Sequence, residues 1–163
     1  YEVDADVIKP DKVSAKFRGT LGGFSIQSSL ISIGNSGYMT NPLTGSWEVG
    51  PTGVNPLGFF SPSEGIASMT SQIRNPFLMP STEESINLYR VGGKLKTSSL
   101  KGLINTSMIK DNIIDIELII DPDNHHLLSA VLTGQIVHSD IENATRIVKI
   151  TLFDMPISIA SPL

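Results

Sequence analysis

The chain has 163 residues with a net charge of −4, 40% hydrophobic and 17% charged residues, and no cysteine. That length suits one domain, residues 1–163, able to bury roughly two thirds of its unfolded surface. The composition excludes a disordered chain and a basic nucleic-acid binder. It also excludes disulfides and thiolate metal sites, while leaving the compartment open.

Apolar and polar residues alternate from one end to the other, cut every eight to twelve residues by Gly, Pro, Asn or Asp, which predicts a meandering antiparallel sheet. Val3, Ala5 and Val7 mark a first strand, turned by Pro10-Asp11. Val13, Ala15, Phe17, Gly19 and Leu21 mark the second. Gly22-Gly23 is a two-residue hairpin signal, because both positions accept positive φ, so Leu21 and Phe24 should stand opposite each other on one face. Phe24, Ile26, Ser28 and Leu30 continue that face; at Ile31 and Ile33 the apolar phase switches, implying a bulge or a strand covered on both sides. A short strand over residues 38–40 and another over residues 46–49 flank the turn Asn41–Gly45.

From Gly50 to Gly58 the sequence reads as a loop. Ser61-Pro62-Ser63-Glu64 is a capping box with proline at the first helical position, and Ile66, Met69 and Ile73 follow at helical spacing. We expect a principal helix near residues 62–74, stopped by Asn75-Pro76, and a shorter one near residues 98–104. Strands are expected through residues 88–91, with continuation to Lys96, then 114–120, 127–136, 146–153 and 157–159. No apolar run approaches the ~18 residues of a membrane span, and the segment opens on Tyr1 without a signal peptide, so any anchor is expected upstream.

Catalytic signals are weak. His125-His126 beside Asp121 and Asp123 has metal-ligand residue types, but consecutive side chains on a strand diverge, so no metal site is expected. The G-x-S-x-G elbow is absent, no phosphate loop is present, and Asp115 and Glu117 read as a solvated strand face. No enzyme activity and no cofactor are therefore expected. What remains is apolar: Phe59, Phe60, Ile66, Met69 and Ile73 are either ordinary core or the lid and lining of a lipid cavity. Ala15, small between Val13 and Phe17, faces the Phe24–Ile26 side of the hairpin and leaves room for a ligand chain.

Several segments in order resemble the LppX/LprAFG family of envelope lipoproteins: residues 10–13, Thr20-Leu21-Gly22-Gly23, Gly37-Tyr38-Met39-Thr40 leading to Trp47, Ser61–Ile66, Tyr89-Arg90-Val91 with Gly93, Asp121–His125, and residues 150–162. The resemblance implies a mainly β fold: a half-open antiparallel barrel, similar to the LolA/LolB carriers, with one or two helices on the concave side. It further implies binding and transfer of acylated lipid or glycolipid in the bacterial envelope, at the outer face of the cytoplasmic membrane or in the periplasm. The anchor would be an upstream lipidated Cys, and the chain a monomer without nucleic-acid partners. The chain departs from the family by starting after the usual N-terminal helix and first strand. Expected cavity residues are Val13, Ala15, Phe17, Leu21, Phe24, Ile26, Leu30, Met39, Phe59, Phe60, Ile66, Met69 and Ile73. The rival reading is an envelope β-domain with a filled core, acting as a scaffold.

Overall fold

A computed structural model describes residues 2–50, 66–82, 85, 87–100 and 108–163. Its strands form two five-stranded antiparallel sheets, each a meander in which neighbours in sequence are neighbours in space. The chain divides into two compact units, one made of Tyr1–Leu57 with Met155–Leu163, the other of Gly58–Asp154.

The first unit holds β1 (Glu2–Ile8), β2 (Lys12–Leu21), β3 (Phe24–Ile33), β4 (Ser36–Thr40) and β5 (Trp47–Val49). Gly22 and Gly23 both have positive φ, at 58° and 85°, as a tight two-residue turn requires. Leu21 therefore pairs with Phe24, and the β2–β3 register runs unbroken to Lys12 and Ile33. No bulge interrupts β3. Ile31 and Ile33 simply point to the second face, where Ile31 pairs with Tyr38, and both are half-buried. That same face carries Arg18, which donates to Glu2 at 3.2 Å and Asp4 at 2.9 Å, exposed pairs of little energetic weight.

The second unit holds α1 (Ile66–Ser71), β6 (Arg74–Leu78), β7 (Tyr89–Lys96), a 3₁₀ turn over Thr97–Leu100, β8 (Ile113–Ile120), β9 (Leu127–Thr133) and β10 (Thr145–Lys149). Alternate residues of β7, β8 and β9 face one side. There Leu95, Ile114, Ile116, Leu118, Ala130 and Leu132 pack with Met69, Leu100 and Ile136 into a single buried core.

The structure corrects several expected boundaries. The helix stops at Ser71, and Arg74–Leu78 form a strand rather than its last turn. Asn75, at φ 49°, and Pro76 are tolerated because β6 lies at the sheet edge, with a register shift between Arg74 and Phe77. The capping box at residues 61–64 and the expected helix beyond Leu100, residues 101–104, lie outside the described residues. β9 ends at Thr133, not Ile136, because Gly134 at φ 135° leaves the extended region, and a Cβ there would sit 2.8 Å from Ile114 Cγ2. β10 stops at Lys149, and residues 157–159 add no strand.

Candidate functional site

The strand register of the first unit assembles one continuous apolar face. On it Val3 pairs with Phe17, Ala5 with Ala15 and Val7 with Val13 across β1 and β2. Ala15 in turn pairs with Leu30, and Leu30 with Met39. Ala15 thus stands between Ala5 and Leu30, while Phe24 and Ile26 oppose Leu21 and Gly19 farther along the same face. A row of two alanines flanked by larger side chains is a shallow trough in the sheet surface.

Exposure along this face is graded. Val13 and Ala15 are buried, Ile26 and Leu30 half-buried, and Phe17, Met39, Val3 and Phe24 exposed at 39%, 39%, 45% and 77%. Apolar side chains this open on one sheet face are unusual, since their exposure forgoes roughly 1.5–3 kcal/mol apiece of burial. Leu21 belongs to β2 by its backbone, but its side chain is outside the described residues, as are Phe59 and Phe60.

Met69 and Ile73 take part in the second unit's core. Met69 is 2% exposed among Leu95, Leu100 and Ile114, and Ile73 packs against the same cluster. Ile66 opens α1, with its side chain outside the described residues.

The polar groups are engaged in holding the sheet and its turns. Asp115 accepts from Lys94 at 2.5 Å, and Glu117 accepts from Arg90 at 2.6 and 2.8 Å while Arg90 also reaches the Pro80 carbonyl at 2.7 Å. Asp121 organises the turn after β8: its carboxylate accepts from the Asp123 amide at 2.8 Å and from Asn124 at 2.9 Å. His125 has a positive φ of 59°, and His126 stacks on Phe153 with centroids 4.1 Å apart. The two histidines therefore have separate surroundings, and among the described residues no group of three His, Asp or Glu could hold a metal.

Asp140 is the group that sequence reasoning passed over. Its Oδ2 accepts from the amides of Ile136 and Val137 at 2.9 Å each, and Oδ1 accepts from Arg146 at 2.7 Å. The Arg146 hydrogen bond and both amides together outweigh desolvation and hold the carboxyl down, from its ordinary 3.8 to about 2. The only hint in the sequence is an aspartate four residues after Ile136 with an arginine six further on.

A folded pKa below the unfolded one means the unfolded chain binds the extra proton. The stabilisation is complete above about pH 4 and disappears as pH falls toward 2. With solvent screening it should amount to roughly 1–2 kcal/mol. Urea unfolding of the parent and of Asp140→Asn between pH 2 and 6 should show that difference at the upper end and little at the lower.

No protein-family model matches the sequence, and no curated protein matches it. Among solved structures the chain is similar to the crystal structure of LprF from Mycobacterium bovis, with a TM-score of 0.70 over 98% of this chain and 79% of that one, at 13% identity. The architecture is thus a mainly β, LprF-like one, with two antiparallel sheets among the described residues. The resemblance to the LppX/LprAFG family, first carried by short motifs, is carried by the fold as well. Among the described residues no helix is long and apolar enough to cross a membrane.

Proposed function

We propose that this chain is a non-enzymatic lipid carrier of the bacterial cell envelope, acting as one domain over residues 1–163. It takes up an acylated lipid or glycolipid in an apolar cavity lined from the first sheet, and hands it on. It works as a monomer, tethered to the membrane by a lipid anchor upstream. The observation that carries this reading is the graded apolar face of β1–β4, where the Ala5–Ala15 trough leads to exposed Phe17 and Met39. Its LprF-like fold agrees with it.

The energetics suit such a cargo. Covering an alkyl chain gains roughly 0.8 kcal/mol per CH₂, so about 14 carbons could contribute on the order of 10 kcal/mol gross. At that size no specific polar contact is needed, consistent with a face that holds only apolar side chains, glycine and serine across β1–β4, with Glu48 of β5 beside Met39 at its margin. An empty cavity of about 500 Å³ would cost on the order of 12 kcal/mol, so the unloaded protein must collapse, hydrate or keep a surrogate ligand.

The closed core of the second unit favours a second reading, a filled β-domain serving as a scaffold. Native mass spectrometry after gentle purification separates the two. For a carrier, lipid co-purifies with the parent, and Ala15→Trp or Phe17→Trp lowers the bound lipid with a nearly unchanged thermal midpoint. A scaffold would show no lipid in the parent, and Ala15→Trp would lose about 1–3 kcal/mol of stability through overpacking.

A further inference from the structure

The first sheet is electrically lopsided along its strands. Residues 19–47 contain no Asp, Glu, Lys, Arg or His, a stretch that takes in both the Gly22-Gly23 turn and the turn from Asn41 to Ser46. These two turns point toward the same end of the sheet, the second starting from Thr40 at the level of Ser29 in β3. β4 runs antiparallel to β3, and its last residue, Thr40, is held beside β3 where Ser28 Oγ donates to the Thr40 carbonyl at 2.9 Å and the Ser29 amide donates to Thr40 Oγ1 at 2.7 Å. From there the chain continues in the direction of Phe24. The β1–β2 turn at the opposite end is instead charged, with Lys9, Asp11 and Lys12.

Both neutral turns carry a large apolar side chain into solvent. Phe24 is 77% exposed beside the first turn, and Leu43 is 93% exposed at the tip of the second. The second turn is also prepared for a dry environment. Asn41 Oδ1 accepts from the Leu43 amide at 3.0 Å and the Thr44 amide at 3.4 Å, and the Gly45 amide donates to the Asn41 carbonyl at 2.8 Å. Backbone groups already satisfied within the turn lower the cost of removing it from water. The nearest charges are engaged by neighbouring groups, Glu48 at the base of the second turn by a neutral amide. Arg18 is bridged to Glu2 and Asp4, and Glu48 accepts from the Asn41 side-chain amide at 3.1 Å.

We propose that this end of the first sheet is a membrane-docking edge, in which Phe24 and Leu43 enter the interfacial layer of a phospholipid bilayer. Two convex, uncharged tips offer a protein partner neither a groove nor a charge pattern for orientation. A bilayer accepts convex apolar protrusions without shape complementarity, and aromatic residues such as Phe24 and the half-buried Trp47 suit its interface. Docking of this kind is independent of any covalent anchor. It would bring the apolar trough of the same sheet to a lipid source.

The test is flotation of the chain with neutral phosphatidylcholine vesicles, read together with quenching of Trp47, the single tryptophan, by brominated acyl chains. The parent should float with the vesicles, its emission should be quenched, and added salt should change neither. Phe24→Asp and Leu43→Asp should each weaken partitioning by at least about tenfold, while Leu152→Asp, at an exposed leucine of the second unit, should bind as the parent does. Phe24→Ser and Leu43→Ser replace any aspartate variant whose far-UV spectrum changes. A parent that stays at the bottom of the gradient overturns the proposal. So does binding that needs anionic lipid and is released by salt, or an equal loss in Leu152→Asp. The cargo measurement is made on the parent, and Leu43→Asp, at a turn residue outside the apolar face, carries the docking test apart from it, so the two readings fail separately.

Discussion

Truncating Leu95 to alanine should lower the unfolding free energy by about 2–5 kcal/mol, the cost of removing buried methyl groups and leaving a cavity. Leu95 is fully buried, pairs with Ile114 across the β7–β8 ladder and sits in the cluster that includes Met69 and Leu100. Against a total stability of roughly 5–15 kcal/mol for a domain, such a loss brings the protein close to half-unfolded under mild conditions. Leu95→Met, which keeps the volume, should cost less than about 1.5 kcal/mol. Urea titrations of the three proteins measure both quantities. A loss below about 1 kcal/mol for the alanine variant would mean that the cluster is loosely packed.

Gly93→Ala should be more damaging than the same change at its neighbour in β7, Gly92. A Cβ at residue 93 would run into Ile73 Cγ2 and lie 3.2 Å from the Arg74 carbonyl oxygen and 3.7 Å from Pro76 Cα. The isoleucine can rotate, but the carbonyl belongs to the backbone of β6, so the edge strand itself must move. Overpacking of this kind costs about 1–3 kcal/mol. At Gly92, on the opposite face of the same strand, the methyl would meet Phe77 Cζ at 2.7 Å and Met79 Sδ at 3.0 Å, both ends of side chains able to swing away. Gly92→Ala should therefore be milder. Thermal midpoints measured side by side should fall farther for Gly93→Ala, by several degrees, and a reversed order would show that β6 yields more easily than its neighbouring side chains.

These two positions also show where sequence reasoning stops. The alternation of β1–β3 and the Gly22-Gly23 turn set the register of the first unit, because a two-residue turn leaves one pairing and period two then assigns every side chain to a face. That is why the sequence alone groups Val13, Ala15, Phe17, Ile26 and Leu30, and they do share a face; Met39 joins them through its pairing with Leu30, which no local signal gives. Gly93 gave no comparable signal. Its requirement comes from Ile73 arriving over it, a contact twenty residues away in sequence.

The edge strand β6 was missed for a related reason. Asn75-Pro76 stops a helix by local rules, and a proline in a strand is acceptable only when a sheet edge frees it from the ladder, which is tertiary information. The partition of strands between two sheets was equally hidden, since both are meanders of identical local grammar. Periodicity says which face of a strand is apolar, and nothing about what covers it. Met69 and Phe17 carry the same apolar signature in the sequence, yet one is 2% exposed and the other 39%.

The return of Met155–Leu163 to the first unit sets an order of completion during synthesis. Strands β6 to β10 have all been synthesised once Lys149 is added, and each pairs with a neighbour in sequence, so the second unit can close on local contacts alone. The first unit begins earlier but waits longer. Its Ile159, only 6% exposed in the finished protein, is supplied after every strand of both sheets. The part of the molecule that emerges first is thus the last to be completed.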